Sequence, residues 1–142
     1  VGSEMCIRDR VNAMAALNEM ADRKADLKIL TLHWGNEYIH RPSMMQRNMA
    51  YRLIDAGADI IVGHHSHVIQ PYEKYKAGHI IYSLGNFCFD KPFQSRQFSK
   101  GMGVDLYFDT DSKFRYKSRF ICQWDMKKSR PPLSLWRGGL SV

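Results

Sequence analysis

The chain has 142 residues, 44% of them hydrophobic, and carries a formal net charge of +7 from 21 Lys and Arg against 14 Asp and Glu. That length holds one domain with a core of its own, and no apolar run in it reaches the length of a membrane span or reads as an export segment with a cleavage site. Three cysteines, Cys6, Cys88 and Cys122, are odd in number and widely spaced, which excludes a disulfide framework and a Cys-x-x-Cys knuckle and leaves buried thiols.

Residues 1–10 (VGSEMCIRDR) show no periodicity and are read as a non-native or disordered leader, outside the fold. From residue 11 the pattern becomes helical. Val11, Met14, Leu17, Met20 and Ala21 recur at helical spacing, so a helix over 11–24 is expected to pack on a sheet. Leu27, Ile29, Leu30 and Leu32 are too apolar for a half-exposed strand and predict a central strand covered on both faces. Ser43 with Gln46 three residues on is a capping box, and Gly57 a suitable stop, which brackets a second helix of about a dozen residues. The run 59–62 (DIIV) is the next buried strand.

Strand, helix and strand in that order predict a parallel βαβ unit, whose two strands end at the same edge of the sheet. Further on, 68–75 and 79–84 flank Lys76-Ala77-Gly78 and predict an antiparallel hairpin. A second hairpin is expected from the alternation at Val104, Leu106 and Phe108, then at Phe114, Tyr116, Phe120 and Cys122, with turn residues over 109–112. Beyond 127, Pro131, Pro132, Gly138 and Gly139 predict an irregular tail, so the domain is placed at 11–126.

The chemistry is expected at the strand ends. His33 closes the first buried strand, and Gly63-His64-His65-Ser66-His67 follows the second. Imidazoles so placed meet across a sheet edge although about thirty residues separate them, and three such donors suit zinc, manganese, iron or nickel. In an extended segment residues two apart share a face, which selects His65 and His67 as ligands beside His33 and turns His64 the other way. Glu37, four residues after His33, has four readings: a metal ligand, a carboxylate that orients a ligating imidazole, an acceptor of a proton from bound water, or an ordinary loop residue. Gly35 lets that loop bend close to a bound group, and Trp34 is read as packing. Asn86 either bonds the histidine loop or satisfies its own turn, and His40 and His79 are read as surface residues. The basic excess, partly at 113–119 and 127–130, gives a face that attracts polyanions, but no aromatic and basic interleaving marks a nucleic-acid module, so no nucleic-acid partner is expected.

Three blocks carry a family likeness: His33-Trp34-Gly35-Asn36-Glu37-Tyr38; Asp55-Ala56-Gly57-Ala58-Asp59 running into Gly63-His64-His65-Ser66-His67-Val68-Ile69-Gln70-Pro71; and Tyr82-Ser83-Leu84-Gly85-Asn86-Phe87. In this order the chain resembles the CapA family of poly-γ-glutamate capsule synthesis proteins, a branch similar to the calcineurin-like metallophosphoesterases. The resemblance implies an α/β fold, the C-terminal half of a layered α/β/β/α sandwich. It implies a centre of two divalent metals (Mn, Zn or Fe) in the full-length parent, with His33, His65 and His67 as ligands; a glycine-anchored alignment selects His64 instead of His65. His64 is otherwise a candidate proton donor and Glu37 a candidate catalytic carboxylate. The superfamily's carboxylate and Asn-His motifs have no match before Leu27, so the chain is expected to be the C-terminal part of a longer domain, inactive alone. The implied partners are an anionic polymer or phosphoester substrate and a capsule-synthesis membrane complex, and the implied location is extracytoplasmic with a membrane anchor. Two functions follow: a metal-dependent phosphoester hydrolase, or a non-catalytic accessory that holds polyanion.

Overall fold

A computed structural model describes residues 2–86, 100–108 and 114–122. Helix α1 (Gly2–Asp22) leads into strand β1 (Ile29–His33), helix α2 (Met44–Asp55) and strand β2 (Ile60–His64). Strands β3 (Ile69–Tyr75) and β4 (Gly78–Leu84) form one hairpin, and β5 (Lys100–Phe108) and β6 (Phe114–Cys122) a second. The fold is mixed α/β. The expected tail over 127–142, the turn over 109–112 and Cys88 lie outside the described residues.

The βαβ unit forms, but β1 is an edge strand of its sheet and not a central one: Leu30 and Leu32 are buried while Thr31 and His33 are exposed. β1 and β2 pair in parallel with Ile29 opposite Ile60 and His33 opposite His64, so both strands run out at one rim. Sequence alone did not indicate the next step. β4 lies between β2 and β3, giving the order β1-β2-β4-β3, parallel to β2 and antiparallel to β3. The hairpin therefore adds beside β2 and extends the same sheet. β5 and β6 pair antiparallel from Lys100 opposite Cys122 to Phe108 opposite Phe114. Gly85 bridges to Gly101, joining the end of β4 to β5.

Both helices contribute to a core with Leu30, Leu32, Ile61, Ile80 and Tyr82 from the sheet. From α1 come Ala13 and Leu17, with Met14, Ala16 and Met20 packed beside them. The apolar stripe is centred on these residues, whereas Val11 is exposed, a shift from the expected periodicity. The helix also begins at Gly2, so the backbone over 2–10 continues it instead of forming an irregular leader. It stops earlier than Lys24, which sits in the left-handed region at φ 54°, with Ala25 N–H bonded to the Met20 carbonyl. α2 has the full capping box: the Ser43 hydroxyl accepts from Gln46 N–H, and Gln46 Oε1 accepts from Ser43 N–H. At its other end Gly57, at φ 102°, turns the chain while Ala58 N–H reaches the Leu53 carbonyl. Among the described residues no helix is long and apolar enough to cross a membrane.

Candidate functional site

The parallel register brings His33 and His64 to the same level at the carboxyl rim, but the chain does not stay extended beyond β2. His65 (φ 93°) and His67 (φ 57°) both occupy positive φ, which turns the backbone back on itself. Two interactions hold this turn. The side chain of Ser66 is wholly buried and donates to the Val68 carbonyl at 2.8 Å, and Tyr38 N–H donates to the Ser66 carbonyl at 2.7 Å. Trp34 N–H adds a bond to the His64 carbonyl at 3.2 Å, so the loop after β1 is stitched to the loop after β2.

The rings converge within this frame. The centroids of His33 and His65 lie 4.6 Å apart, and those of His65 and His67 lie 6.2 Å apart. The alternation argument for pairing His65 with His67 fails in its premise, since neither residue is extended; the left-handed turn is what sets their rings. His64 is half-buried at the end of β2. Glu37 is exposed in the loop after β1 and acts on His65 through space. Burial, then the charge of His33, holds His64 below the ordinary imidazole range. The same two causes lower His65, and Glu37 opposes them there. Neutral imidazole is the form that donates a lone pair to a cation.

Of two neighbours of His67, Tyr38 escaped the sequence reading, and Asn86 takes the first of its two readings, a bond to the histidine loop. Tyr38 stacks on the His67 ring at 5.7 Å with an interplanar angle of 25°, and Asn86, buried just past β4, places its amide oxygen 2.9 Å from His67 Nδ1. The only sequence signal for either was the Gly85-Asn86 turn. Below the rim, Gln46 Nε2 donates to Gln70 Oε1 at 3.0 Å, and Gln70 Nε2 donates to the Ile39 carbonyl at 2.8 Å, bracing the loop after β1 from α2 and β3. Gly35, at φ 88°, sits where a Cβ would lie 2.6 Å from the Gln46 amide. Trp34 is buried packing, as expected, and His40 is exposed beside the Ile69 carbonyl. His79 corrects the surface reading: it is half-buried and its Nδ1 lies 2.8 Å from the Tyr72 hydroxyl.

Among the described residues no group of three or more His, Cys, Asp or Glu side chains closes on one point as a complete metal cage does. The donor chemistry fits a share of such a centre: an imidazole at the end of β1 and one from the turn after β2 in near contact, and a third, on His67, whose Nδ1 is bonded to Asn86.

An α/β sheet with imidazoles at the carboxyl rim of parallel strands is the class of domain that fold and site define. Residues 3–91, more than half of the chain, match the family described as bacterial capsule synthesis protein PGA_cap, and the chain belongs to that family. It is 57% identical over 67 residues to the capsule biosynthesis protein CapA of Bacillus anthracis, covering 47% of this chain and 16% of that protein. To the PGA biosynthesis protein CapA of Bacillus subtilis it is 52% identical over 71 residues, 50% of this chain and 19% of the relative. A probable polyglutamine synthesis accessory protein of Mycobacterium tuberculosis is 35% identical over 79 residues, 56% of this chain and 21% of the relative. The matched segment thus spans about a fifth or less of these proteins.

Proposed function

We propose that this chain is part of a CapA-like protein of poly-γ-glutamate capsule synthesis or export, and that its histidine rim supplies part of a divalent-metal site used for phosphoester hydrolysis by the full-length parent. The near contact of the His33 and His65 rings, one from the end of β1 and one from the turn after β2, supports this reading most directly. His33, His65 and His67 would hold the cation, with further ligands supplied from outside this segment. A divalent cation bound there supplies Lewis acidity toward a phosphoryl oxygen and acidifies water at neutral pH. The strand register sets His64 opposite His33, which supports a role for it as proton donor to a leaving group. Glu37, exposed on the facing loop, is the nearby base. An extracytoplasmic, membrane-anchored parent belongs to the same proposal.

The test is metal content and hydrolysis of a generic phosphodiester by the full-length parent. Metal-dependent turnover that disappears in His65→Ala supports the hydrolase; a metal-free, inactive wild-type parent overturns it. The name of the mycobacterial relative, an accessory protein, and the +7 charge of this chain favour a second reading, a non-catalytic holder of anionic polymer. Polymer retention with no turnover by the wild type would decide for that reading.

A further inference from the structure

The hydrogen bonds of Asn86 determine which nitrogen of His67 carries the proton. Asn86 offers one acceptor, Oδ1, and one donor group, Nδ2. Nδ2 lies 3.3 Å from the backbone carbonyl of His67, which can only accept, so the amide orientation is fixed with its nitrogen toward that carbonyl. Oδ1 then faces His67 Nδ1 at 2.9 Å, and an amide oxygen can only accept. Nδ1 must therefore be the donor. In the neutral ring this leaves the lone pair on Nε2, the reverse of the tautomer that free histidine prefers in water.

The same residue holds both the ring and the backbone of His67, whose φ of 57° is a conformation that non-glycine residues adopt only when surroundings impose it. Asn86 is itself 6% exposed and follows Gly85, which is bridged to Gly101, so its anchor is the end of β4 and not a free loop. Tyr38 packs against the imidazole ring and limits its rotation.

We propose that Asn86 is a positioning residue of the histidine rim, locking His67 as the Nδ1–H tautomer so that Nε2 is presented to a divalent cation. The cation's part in this rests on the function proposed above; the tautomer does not. The experiment is nitrogen NMR of the full chain labelled with ¹⁵N-histidine, without added metal. The wild type is expected to show His67 with a protonated Nδ1 and an unprotonated Nε2. Asn86→Ala is expected to move it to the ordinary Nε2–H form, whereas Asn86→Asp, which keeps the acceptor, restores Nδ1–H. A wild-type His67 protonated on Nε2, or a tautomer unchanged in Asn86→Ala, overturns the assignment, and the wild-type spectrum alone decides it if the variant does not fold.

Titration of the full-length parent with Zn²⁺ or Mn²⁺ separates the two readings. An affinity about 10–100-fold weaker in Asn86→Ala, the usual loss on removing an orienting partner, supports the positioning role. Undiminished affinity in that variant overturns it. A wild-type parent that binds neither ion overturns the metal site while the tautomer assignment stands on its own spectrum.

Discussion

Trp34 reaches from the end of β1 to β4 and donates its indole N–H to the Tyr82 carbonyl at 2.9 Å, passing over Gly63 of the intervening strand. A Cβ at residue 63 would lie 1.9 Å from that carbonyl oxygen and 2.4 Å from Trp34 Nε1. The glycine is what allows the indole to cross.

Gly63→Ala is therefore expected to push Trp34 away from Tyr82 and to destabilise the fold by about 1–3 kcal/mol, the range for overpacking a filled core. Urea unfolding followed by tryptophan fluorescence measures this. A change within about 0.5 kcal/mol would show that the crossing is not tight.

Gln46 serves two structures at once: it closes the cap of α2 and bonds Gln70, which holds the Ile39 carbonyl. Ser43→Ala should cost about 1 kcal/mol, the usual value of an N-cap. Gln46→Ala should cost more, because Gln70 Oε1 then loses its donor in a buried setting, a further penalty of about 1–3 kcal/mol. Equal losses from the two variants, by thermal or chemical unfolding, would reduce Gln46 to a capping role.

Glu73 collects three groups: the Tyr51 hydroxyl at 2.5 Å, the Tyr82 hydroxyl at 2.9 Å and Arg47 at 3.5 Å. Burial and the bond to Glu73 push the Tyr82 phenol far above its ordinary range. Glu73→Ala strands the Tyr82 hydroxyl, on a residue fully shielded from solvent, and should destabilise by about 1–3 kcal/mol. Tyr82→Phe in that background should recover part of the loss, since the buried hydroxyl is then no longer left without an acceptor. Failure to recover any of it in a double-mutant cycle would contradict the pairing.

Burial, then the charge of Lys74, holds His79 below its ordinary value of 6.5. The unfolded chain then takes up the proton first, so stability is greatest above the ordinary value and is lost as pH falls below it. Unfolding midpoints measured between about pH 8 and about pH 5 should decline, and the decline should be shallower in His79→Gln. His64 and His65 shift the same way, which is why the variant and not the wild-type curve alone carries the test. Parallel curves would show that His79 does not contribute.

What was legible in the sequence was local. The apolar runs ending at Leu32 and Val62 gave the parallel pair, Ser43 with Gln46 the helix start, and Lys76-Ala77-Gly78 the hairpin. Each is a periodicity or a cap read within a dozen residues. The insertion of β4 between β2 and β3 has no local signature, because strand order depends on which buried faces fit together. The bond from Asn86 to His67 spans 19 residues and follows from that strand order. Side-chain parity does not apply at His65 and His67 because it presumes extended backbone, and nothing in Gly-His-His-Ser-His marks a left-handed turn at histidine.

Tyr38, His65 and His67 all hold positive φ, where glycine would sit without steric penalty, at about 1–3 kcal/mol for each strained residue. Selection for heat resistance alone would drive these three positions toward glycine, and a library screened only for melting temperature should enrich such replacements while stripping the rim of its rings. The strained histidines thus locate where robustness and purpose pull the chain in opposite directions.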